Sequence, residues 1–478
     1  MHAMITGRRE GSRRLETTDG LRVGTPRGRG VLLASILGSG MAFLDGTAVN
    51  LALPAIGDDL GAGFSGFQWV VNGYMLTLSA LVLIGGSLGD RFGKRRIFEL
   101  GVVLFAATSI ACGVVGGIRG LIVARVAQGV GAALLVPTSL ALVQSSFAPS
   151  DRGRAIGTWS GLSGLATVVG PLLGGWLIGS VSWRAIFLIN PVVALATLAA
   201  TRRFVPAVAP TSRDPIDIAG SLTAALGLGG VVYALIEGPE RGWPPAVVAA
   251  GAAGLILLGV FLFVEARVAS PMLPLRYFRI RAFSGANATT AIVYAVLSGV
   301  FFLLGLQLQR VVGYSPLRAG AATMPITVIL FVLSPRVGRL ADRIGPRLLM
   351  TVGPVVAAAG VALFSRVVAG ASYRGGVLPG ILVFGLGLGL TVAPLTSTAM
   401  GSLPDEHSGA ASGVNNAVAR LAAMLAVTLL PLAAGLSGIG TVGGAEFSAG
   451  FVKAMRIGAV TLALGGVVAW LTVPAKTA

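Results

Sequence analysis

The sequence predicts an all-α polytopic membrane protein with about 14 transmembrane helices, arranged as two six-helix repeat bundles with two inserted central helices. Three observations predict this class. Of the 478 residues, 54% are hydrophobic and only 11% are charged, whereas soluble globular chains carry roughly 25% charged residues. Apolar runs of about 20 residues or more recur from residue 31 almost to the end. A basic loop motif occurs once in each half of the chain.

The composition excludes several other classes of protein. A mean hydropathy of +0.85 is incompatible with a soluble enzyme of several domains, and disorder is expected only within the first 30 residues. The single cysteine, Cys112, permits no intrachain disulfide. With one cysteine and two histidines, no zinc or iron–sulfur site is expected. We therefore expect no metal and no other cofactor.

Fourteen apolar spans are expected, each long enough to cross about 30 Å of hydrocarbon at 1.5 Å per residue. They lie near residues 31–54, 67–89, 97–117, 119–145, 153–179, 183–203, 217–238, 246–266, 283–308, 316–339, 347–366, 376–398, 409–435 and 451–473. The expected organisation is a basic cytoplasmic tail (1–30), an N-terminal six-helix bundle (31–204), a linker with two additional helices (205–282), a C-terminal six-helix bundle (283–473) and a second cytoplasmic tail (474–478).

The distribution of Lys and Arg predicts how the spans are oriented. If the N-terminus is cytoplasmic, 25 of the 36 Lys and Arg residues fall in cytoplasmic segments and 9 in outer loops, as the positive-inside rule requires. Both termini should therefore be cytoplasmic, in a bacterial inner membrane. The same bias explains the net charge of +18 without a nucleic-acid partner. The arginine pairs at 8–9 and 13–14 are interpreted as topogenic charges rather than a twin-arginine export signal.

Predicted helices 1 and 4 each contain a charged residue. Asp45 is the only carboxylate well inside a predicted span, and Arg125 lies within helix 4. Each would cost about 2.5–3.5 kcal/mol if isolated at the bilayer centre. Counting along each helix places both about 21 Å from the cytoplasmic end. The equal depth permits an ion pair, formed directly or through Gln128 or water.

The loop after predicted helix 2 has the pattern Gly-x-Leu-x-Asp-Arg-x-Gly followed by basic residues, and contains Gly86, Asp90, Arg91, Gly93, Lys94 and Arg95. Asp90 is able to cap a helix N-terminus or to pair with an arginine, while the basic residues also obey the positive-inside rule. The pattern returns after predicted helix 10, around Asp342. Helices 1–6 and 9–14 are therefore expected to be repeats of one unit, which is typical of transporters.

Predicted helix 5 contains the segment Gly170-Pro171-Leu-Leu-Gly174-Gly175. An interior proline removes one backbone hydrogen bond and bends a helix, and the glycines allow a neighbouring helix to approach closely. Two interpretations are open, a bend that governs the closing of a cavity and ordinary packing of small residues.

Several further polar residues lie in or near the spans. We expect a cavity to be lined by some of Asn72, Tyr74, Asn287, Asn415, Asn416 and Arg420, although each alone is more often an interhelical hydrogen-bonding group. Glu237 and Glu265, near the ends of helices 7 and 8, are interpreted as interfacial charges.

Five motifs, in order along the chain, carry a family resemblance. They are residues 44–54 (LDGTAVNLALP) in helix 1, 86–96 after helix 2, 125–131 (RVAQGVG) in helix 4, 170–175 in helix 5 and 412–420 (SGVNNAVAR) in helix 13. On these motifs, residues 31–473 resemble the major facilitator superfamily, and within it the fourteen-helix branch of drug:proton antiporters.

The resemblance implies roles for the motifs. Helices 1 and 4 would line the N-terminal half of a central cavity, with Asp45, Arg125, Gln128 and Asn50 as the proton and substrate site. The Asp90 loop would latch the two halves together on the cytoplasmic side, and the helix 5 bend would limit leak. A bound cationic substrate would displace the proton from Asp45, which is antiport chemistry. The alternative for Asp45 and Arg125 is a structural ion pair that fixes helix 1 to helix 4.

The expected function is a secondary active, proton-coupled antiporter that exports lipophilic drugs or natural products by alternating access. Its partners would be a hydrophobic small molecule, protons and the lipid bilayer, and the chain would act as a monomer driven by the proton gradient. No Gly-x-x-x-x-Gly-Lys-Ser/Thr loop is present for ATP. A metabolite facilitator or symporter of the same fold and a non-transporting receptor or assembly protein are the alternatives. An enzyme is not expected, because no nucleophile–base or metal constellation occurs.

Overall fold

A computed structural model describes residues 20–206, 218–268, 273–404, 408–439 and 442–475. Within these ranges the chain is helical, apart from one β-bridge between Leu21 and Phe147. Fourteen helices are long and apolar enough to cross a membrane, which confirms the predicted class of a polytopic all-α membrane protein. Most of the two predicted tails, residues 1–19 and 476–478, lies outside the described residues.

The first six helices form the N-terminal bundle. They are α1 (Pro26–Leu60), α2 (Phe64–Phe92), α3 (Lys94–Val114), α4 (Ile118–Ser146), α5 (Pro149–Ser180) and α6 (Ala185–Phe204). α1 begins at residue 26 rather than 31 and ends at residue 60 rather than 54. The helical hydrogen bonds continue beyond the apolar run on which the prediction was based, so the predicted boundary of the N-terminal tail lies inside α1.

Two inserted helices and a second bundle follow. α7 (Ile218–Arg241) and α8 (Pro245–Glu265) are the inserted pair. The C-terminal bundle consists of α9 (Arg281–Arg310), α10 (Pro316–Ile344), α11 (Pro346–Leu363), α12 (Leu378–Gly401), α13 (Ser408–Ala434) and α14 (Ala445–Thr472). Short helical turns at Leu275–Arg279, Phe364–Arg366 and Tyr373–Val377 connect α8 to α9 and α11 to α12.

Local sequence determines where the helices begin and end. The Thr25 hydroxyl accepts a hydrogen bond from the Gly28 amide at 3.1 Å and caps α1, and Pro26 suits the first helical position. A single glycine joins α2 to α3 and α10 to α11, with φ of +98° at Gly93 and +85° at Gly345. Glycine adopts this left-handed region without steric cost. The two turns occupy the same place in each bundle, as the repeated loop motif predicts.

Glycine also sets the spacing of helices within each bundle. A Cβ atom on Gly85 of α2 would lie 1.9 Å from the Ala133 carbonyl oxygen of α4, and one on Gly360 of α11 would lie 2.2 Å from the Phe384 amide nitrogen of α12. The backbones are therefore in direct contact. In lipid such close van der Waals packing is a main source of helix association, and many of the 70 glycines of the chain lie at contacts of this kind.

The inserted pair lies against both bundles. Val232 of α7 packs with Met424 of α13, and Glu237 of α7 accepts a 2.7 Å hydrogen bond from the Trp69 indole of α2. Glu237 also pairs with Arg241 at 2.6 Å and is only 8% exposed. It is therefore a buried contact to the N-terminal bundle, four residues from the end of α7.

The two bundles are joined at the end of the spans where α1 ends and α2 begins, here called the outer end because the predicted orientation places it outside. Arg310 of α9 forms a 2.5 Å ion pair with Asp58 of α1. The Gln68 side-chain amide of α2 donates to the Val427 carbonyl of α13 at 2.9 Å. Toward the opposite, inner end, most of the α5 side chains in residues 157–169 are exposed or half-buried. Beside α5, the bundles are therefore packed closely at the outer end, whereas a Cβ atom on Gly157, Gly161 or Gly164 would meet nothing within 4 Å toward the inner end.

Candidate functional site

A buried polar cluster joins α1 to α4. Asp45 of α1 pairs with Arg125 of α4, with 2.5 Å between the carboxylate Oδ2 and a guanidinium nitrogen. Gln128, one turn further along α4, donates to Asp45 Oδ1 at 3.0 Å and accepts from Arg125 at 2.6 Å. None of the three residues is more than 1% exposed. The ion pair expected from equal depth is present, and Gln128 contacts both of its members.

The cluster extends to α2, α3 and α6. Ser109 of α3 accepts hydrogen bonds from Gln128 at 2.7 Å and from Asn190 of α6 at 3.2 Å. The Arg125 Nε–H donates to the Val70 carbonyl of α2 at 3.1 Å. The sequence analysis missed Ser109, because a lone serine in an apolar span has no spacing that distinguishes it from a packing residue.

Two aromatic rings cover the Arg125 guanidinium. Its central carbon lies 4.3 Å from the Tyr74 ring centroid and 5.7 Å from that of Phe187, within the range of cation–π attraction. Tyr74 is 4% exposed, and its hydroxyl has no hydrogen-bond partner among the described residues. Arg125 thus has stabilising neighbours besides Asp45, whereas Arg125 is the one cation among the described residues that lies within ion-pair distance of Asp45.

The chemistry of this cluster follows from the cost of burying charge. Removing one member of a buried ion pair costs about 3–5 kcal/mol, because the other charge is left uncompensated. The charged pair therefore holds α1 against α4. Arg125 also has carbonyl and aromatic neighbours, so it depends less on Asp45 than Asp45 depends on it.

Asn50 does not join this cluster. It lies five residues after Asp45, which is about 140° around an α-helix. Its side-chain amide donates to the Gly46 carbonyl of its own helix at 3.4 Å, and its backbone carbonyl faces Gly305 of α9. The structure therefore separates Asn50 from the site with which it was grouped and places it where the two bundles meet.

The basic loop between α2 and α3 is held within the N-terminal bundle. Asp90 lies 3.5 Å from the Lys94 ammonium. Arg95 pairs with Glu99 at 3.0 Å and donates to the Val205 carbonyl, just beyond α6, at 2.8 Å. The positive charge of Arg95 thereby meets the negative end of the α6 dipole. These contacts of Lys94 and Arg95 stay on one side of the interface that the loop was expected to latch.

The other members of the loop motif are Gly86, Arg91 and Gly93. Gly93 forms the turn itself, and a Cβ atom on Gly86 would be in ordinary contact with Pro137 of α4, at 3.9 Å. Arg91 is exposed, with its guanidinium carbon 5.7 Å from the Phe92 ring centroid.

The glycines of the α5 motif form contacts within and between the bundles. A Cβ atom on Gly170 would lie 2.2 Å from the Thr47 hydroxyl of α1, and one on Gly174 would lie 2.7 Å from Ala48. A Cβ atom on Gly175 would lie 2.6 Å from the Leu317 Cα of α10, in the other bundle. The helix continues through Pro171 to Ser180, so the motif is a point of close packing at the outer end.

Asn72, which was expected to line a cavity, instead joins the bundles. Its side-chain amide donates to the Thr428 hydroxyl of α13 at 2.8 Å, and the residue is fully buried. Asn72 lies one turn after Gln68 on α2, so both amides form the same contact with α13 at the outer end.

The remaining expected cavity residues divide into two groups. Asn415 of α13 donates to the Asn287 side chain at 3.2 Å and to the Thr290 hydroxyl at 2.8 Å, both on α9, and this group is internal to the C-terminal bundle. Asn416 is exposed and donates to the Ser412 carbonyl of its own helix. Arg420, one turn further along α13, is half-buried.

Comparison with known proteins identifies the family. The profile described as the Major Facilitator Superfamily matches residues 35–427. The chain is 36% identical over 393 residues to the multidrug resistance protein Stp of Mycobacterium tuberculosis, covering 81% of this chain and 72% of that protein. It is 35% identical over 462 residues to the puromycin resistance protein pur8 of Streptomyces alboniger, covering 94% and 91%. It is 34% identical over 402 residues to the tetracenomycin C resistance and export protein of Streptomyces glaucescens, covering 84% and 74%.

Solved structures share the fold at low sequence identity. The transporter PepTSo of the POT family superimposes with a TM-score of 0.68 at 16% identity, over 93% of this chain and 97% of that chain. A bacterial homologue of the human lysosomal transporter Spinster, in an inward-facing and unoccupied conformation, gives 0.64 at 18% identity, over 94% and 97%.

The buried pair should be energetically coupled. We expect Arg125→Gln to destabilise the protein by about 3–5 kcal/mol, because Asp45 is left unpaired. Adding Asp45→Asn to Arg125→Gln should recover part of this loss. The measurement is unfolding of the purified protein in detergent, with Arg119→Gln, an exposed arginine, as the control. Strictly additive effects of the two substitutions would contradict the coupling.

Gly175 should be required for the joined outer end. We expect Gly175→Ala to lower transport at least tenfold, because its methyl group meets the α10 backbone. Gly179→Ala lies one turn further along α5, where nothing is within 4 Å of the added Cβ atom, and should transport as the wild type does. The measurement is the initial rate of export in everted membrane vesicles, normalised to inserted protein. Equal rates in the two variants would show that the α5–α10 contact is not needed.

Proposed function

This chain belongs to the major facilitator superfamily, and we propose that it exports lipophilic drugs or natural products in exchange for protons. It is a multi-pass membrane transporter with a small-molecule substrate, and not an enzyme. The relatives named for multidrug resistance, puromycin resistance and tetracenomycin C export support drug or natural-product export as its direction and substrate class.

The observation that carries the proton-coupling proposal is the Asp45–Arg125–Gln128 cluster. A fully buried carboxylate inside a membrane span is costly and is usually functional. This one has a guanidinium at 2.5 Å, and that guanidinium is also covered by the Tyr74 ring. Protonation of Asp45 therefore breaks one strong contact between α1 and α4 and leaves Arg125 stabilised. The proton serves as the ligand that shifts the bundle between its two arrangements.

Alternating access follows from where the bundles are joined. The Asp58–Arg310 ion pair and the Gln68 and Asn72 hydrogen bonds lie at the outer end. Opening that end requires these contacts to break, and closing the inner end brings the Asp90 loop toward the other bundle. The latch role of this loop belongs to the state with the inner end closed.

We propose the following setting for the transporter. The protein lies in a bacterial inner membrane with both termini in the cytoplasm, as the Lys and Arg distribution supports. It acts as a monomer, binds no metal, other cofactor or nucleic acid, and takes its energy from the proton gradient. The hydrophobic substrate enters from the inner end or the inner leaflet.

The proposal predicts substrate-dependent proton release that requires Asp45. Everted vesicles would be energised, and proton release would be followed with a trapped pH dye on adding lipophilic cations, neutral antibiotics and lipophilic acids. Asp45→Asn should abolish the response, because its side chain does not bind a transported proton. Asp59→Asn, an exposed carboxylate at the end of the same helix, is the matched control and should respond as the wild type does.

Each other result has a distinct meaning. A response that persists in Asp45→Asn would keep antiport but reject Asp45 as the coupling site. Substrate movement without proton flux would indicate a facilitator, and proton movement in the same direction as the substrate would indicate a symporter. No response to any compound from correctly inserted protein would contradict drug:proton antiport.

A further inference from the structure

A second interior arginine has no carboxylate beside it. Arg420 lies 12 residues from the start of α13, or about 18 Å into the span. The described part of the chain gives it neither an ion pair nor a hydrogen bond, in contrast to the three polar contacts of Arg125. Because Arg420 is half-buried and its nitrogens are not enclosed, its guanidinium faces open space within the membrane-spanning region.

Two tyrosines indicate that this open space lies between the two bundles. Asn415 of α13 contacts Thr290 of α9 at 2.8 Å, and Arg420 and Tyr294 lie about one turn further along these two helices, so they are at the same level. The electrostatic influence of Tyr74 and Tyr294 on the Arg420 guanidinium agrees with this placement. Tyr74 belongs to α2 of the N-terminal bundle, and Tyr294 belongs to α9 of the C-terminal bundle. Arg420 therefore points between the bundles rather than toward lipid. The Tyr74 hydroxyl is enclosed and without a partner among the described residues, whereas Tyr294 is half-buried.

A polar path leads to Arg420 from the inner end. Ser412, Asn416 and Arg420 are spaced by four residues and lie on one face of α13. Asn416 is exposed and the other two are half-buried. Near the start of this path, a Cβ atom on Gly413 would lie 3.7 Å from Leu83 of α2, so this face of α13 is directed toward the N-terminal bundle.

The balance of charge in the interior favours an anion. Among the described Asp, Glu, Lys and Arg residues, Asp45, Arg125 and Arg420 are those that lie at least seven residues from both ends of a helix and are not exposed. The charges of Asp45 and Arg125 neutralise each other. The positive charge of Arg420 is not neutralised by a carboxylate within ion-pair distance in the described part of the chain. Guanidinium binds carboxylates through paired, charge-assisted hydrogen bonds, and an uncompensated charge at this depth is otherwise unfavourable.

We propose that Arg420, with the Tyr294 hydroxyl, forms an anion-binding subsite, and that the transported compounds are lipophilic acids carrying a carboxylate or phenolate. The proposal rests on the proposed export function and specifies its substrate class. The apolar body of such a compound would occupy the space between the bundles while its anionic oxygen meets Arg420. Export of an anion in exchange for an entering proton would move charge in the direction that an inside-negative membrane potential favours.

The test is equilibrium binding to the whole protein in nanodiscs of phosphatidylcholine. The probes are pyrenebutyrate, its uncharged amide and the cationic pyrenylbutylammonium, which share one apolar body. Wild-type protein should bind the anion at least tenfold more tightly than the amide. Arg420→Gln should weaken anion binding by about 10- to 100-fold, the usual range for a charge-assisted hydrogen bond, and leave amide binding unchanged.

Further variants allow the proposal to be tested even where Arg420→Gln does not fold. Arg420→Lys should retain most of the anion preference, and Tyr294→Phe should reduce it by about 2- to 10-fold, as expected for a neutral hydrogen bond. Arg119→Gln, an exposed arginine at the outer end, is the matched control for lost charge. If Arg420→Gln fails to fold, the Arg420→Lys and Tyr294→Phe variants decide.

Three results would overturn the proposal. They are equal binding of the three probes by the wild type, undiminished anion preference in Arg420→Gln, and displacement of pyrenebutyrate by phosphatidylglycerol in the nanodisc, which would make an anionic lipid the ligand. Proton release in vesicles tests the export function separately. Anion-selective binding without proton release would reject antiport and keep the subsite.

Discussion

The burial of charge in hydrocarbon is the constraint on which this structure depends. A carboxylate and two guanidinium groups lie in the interior of the spans, and each must be stabilised by protein or by a ligand. Asp45 and Arg125 stabilise each other, and Gln128 and Ser109 complete their hydrogen bonds. The pair therefore links α1 to α4, and its hydrogen bonds extend to α2, α3 and α6. The charge at Asp45 is therefore part of the packing of the N-terminal bundle, which is the basis of the proposed coupling to protons.

Close helix approach is the second condition, and it concentrates where the bundles meet. Gly170 and Gly174 bring α5 against α1, and Gly175 brings the same helix against the α10 backbone. The part of the outer contact formed by α5 is thus made of backbone and small side chains, with little that adapts by rotation. Rigid packing of this kind favours two discrete arrangements over a continuous range. It also explains how a movement of α1, caused by a proton at Asp45, would be transmitted through α5 to the other bundle.

The depth of a residue along its helix could be predicted from the sequence. The direction in which its side chain points around the helix axis could not. A rise of 1.5 Å per residue fixes the height of Asp45 and Arg125, so their pairing followed from counting. α1 and α4 are apolar on all sides, so no amphipathic pattern indicated which face meets which neighbour. For this reason Asn50 was grouped with Asp45 although it faces α9, and Asn72 was expected in a cavity although it bonds to α13. The fold class, the repeat and the inserted pair depended on composition and spacing, which the sequence carries in full.

The inserted pair makes the two sides of the transporter unequal. α7 packs against α2 through Trp69 and Glu237 and against α13 through Met424, so it covers the seam between these helices. The corresponding helices on the other side, α5 and α10, keep exposed apolar side chains such as Leu165 and Phe331. In a membrane these side chains face lipid, where their exposure is favourable. A lipophilic compound dissolved in the inner leaflet therefore has an apolar route to the space between the bundles beside α5 and α10. Beside α2 and α13, α7 covers the corresponding route. Arg420 lies on α13, behind the covered seam, so a lipophilic acid that enters between α5 and α10 would reach it across the space between the bundles.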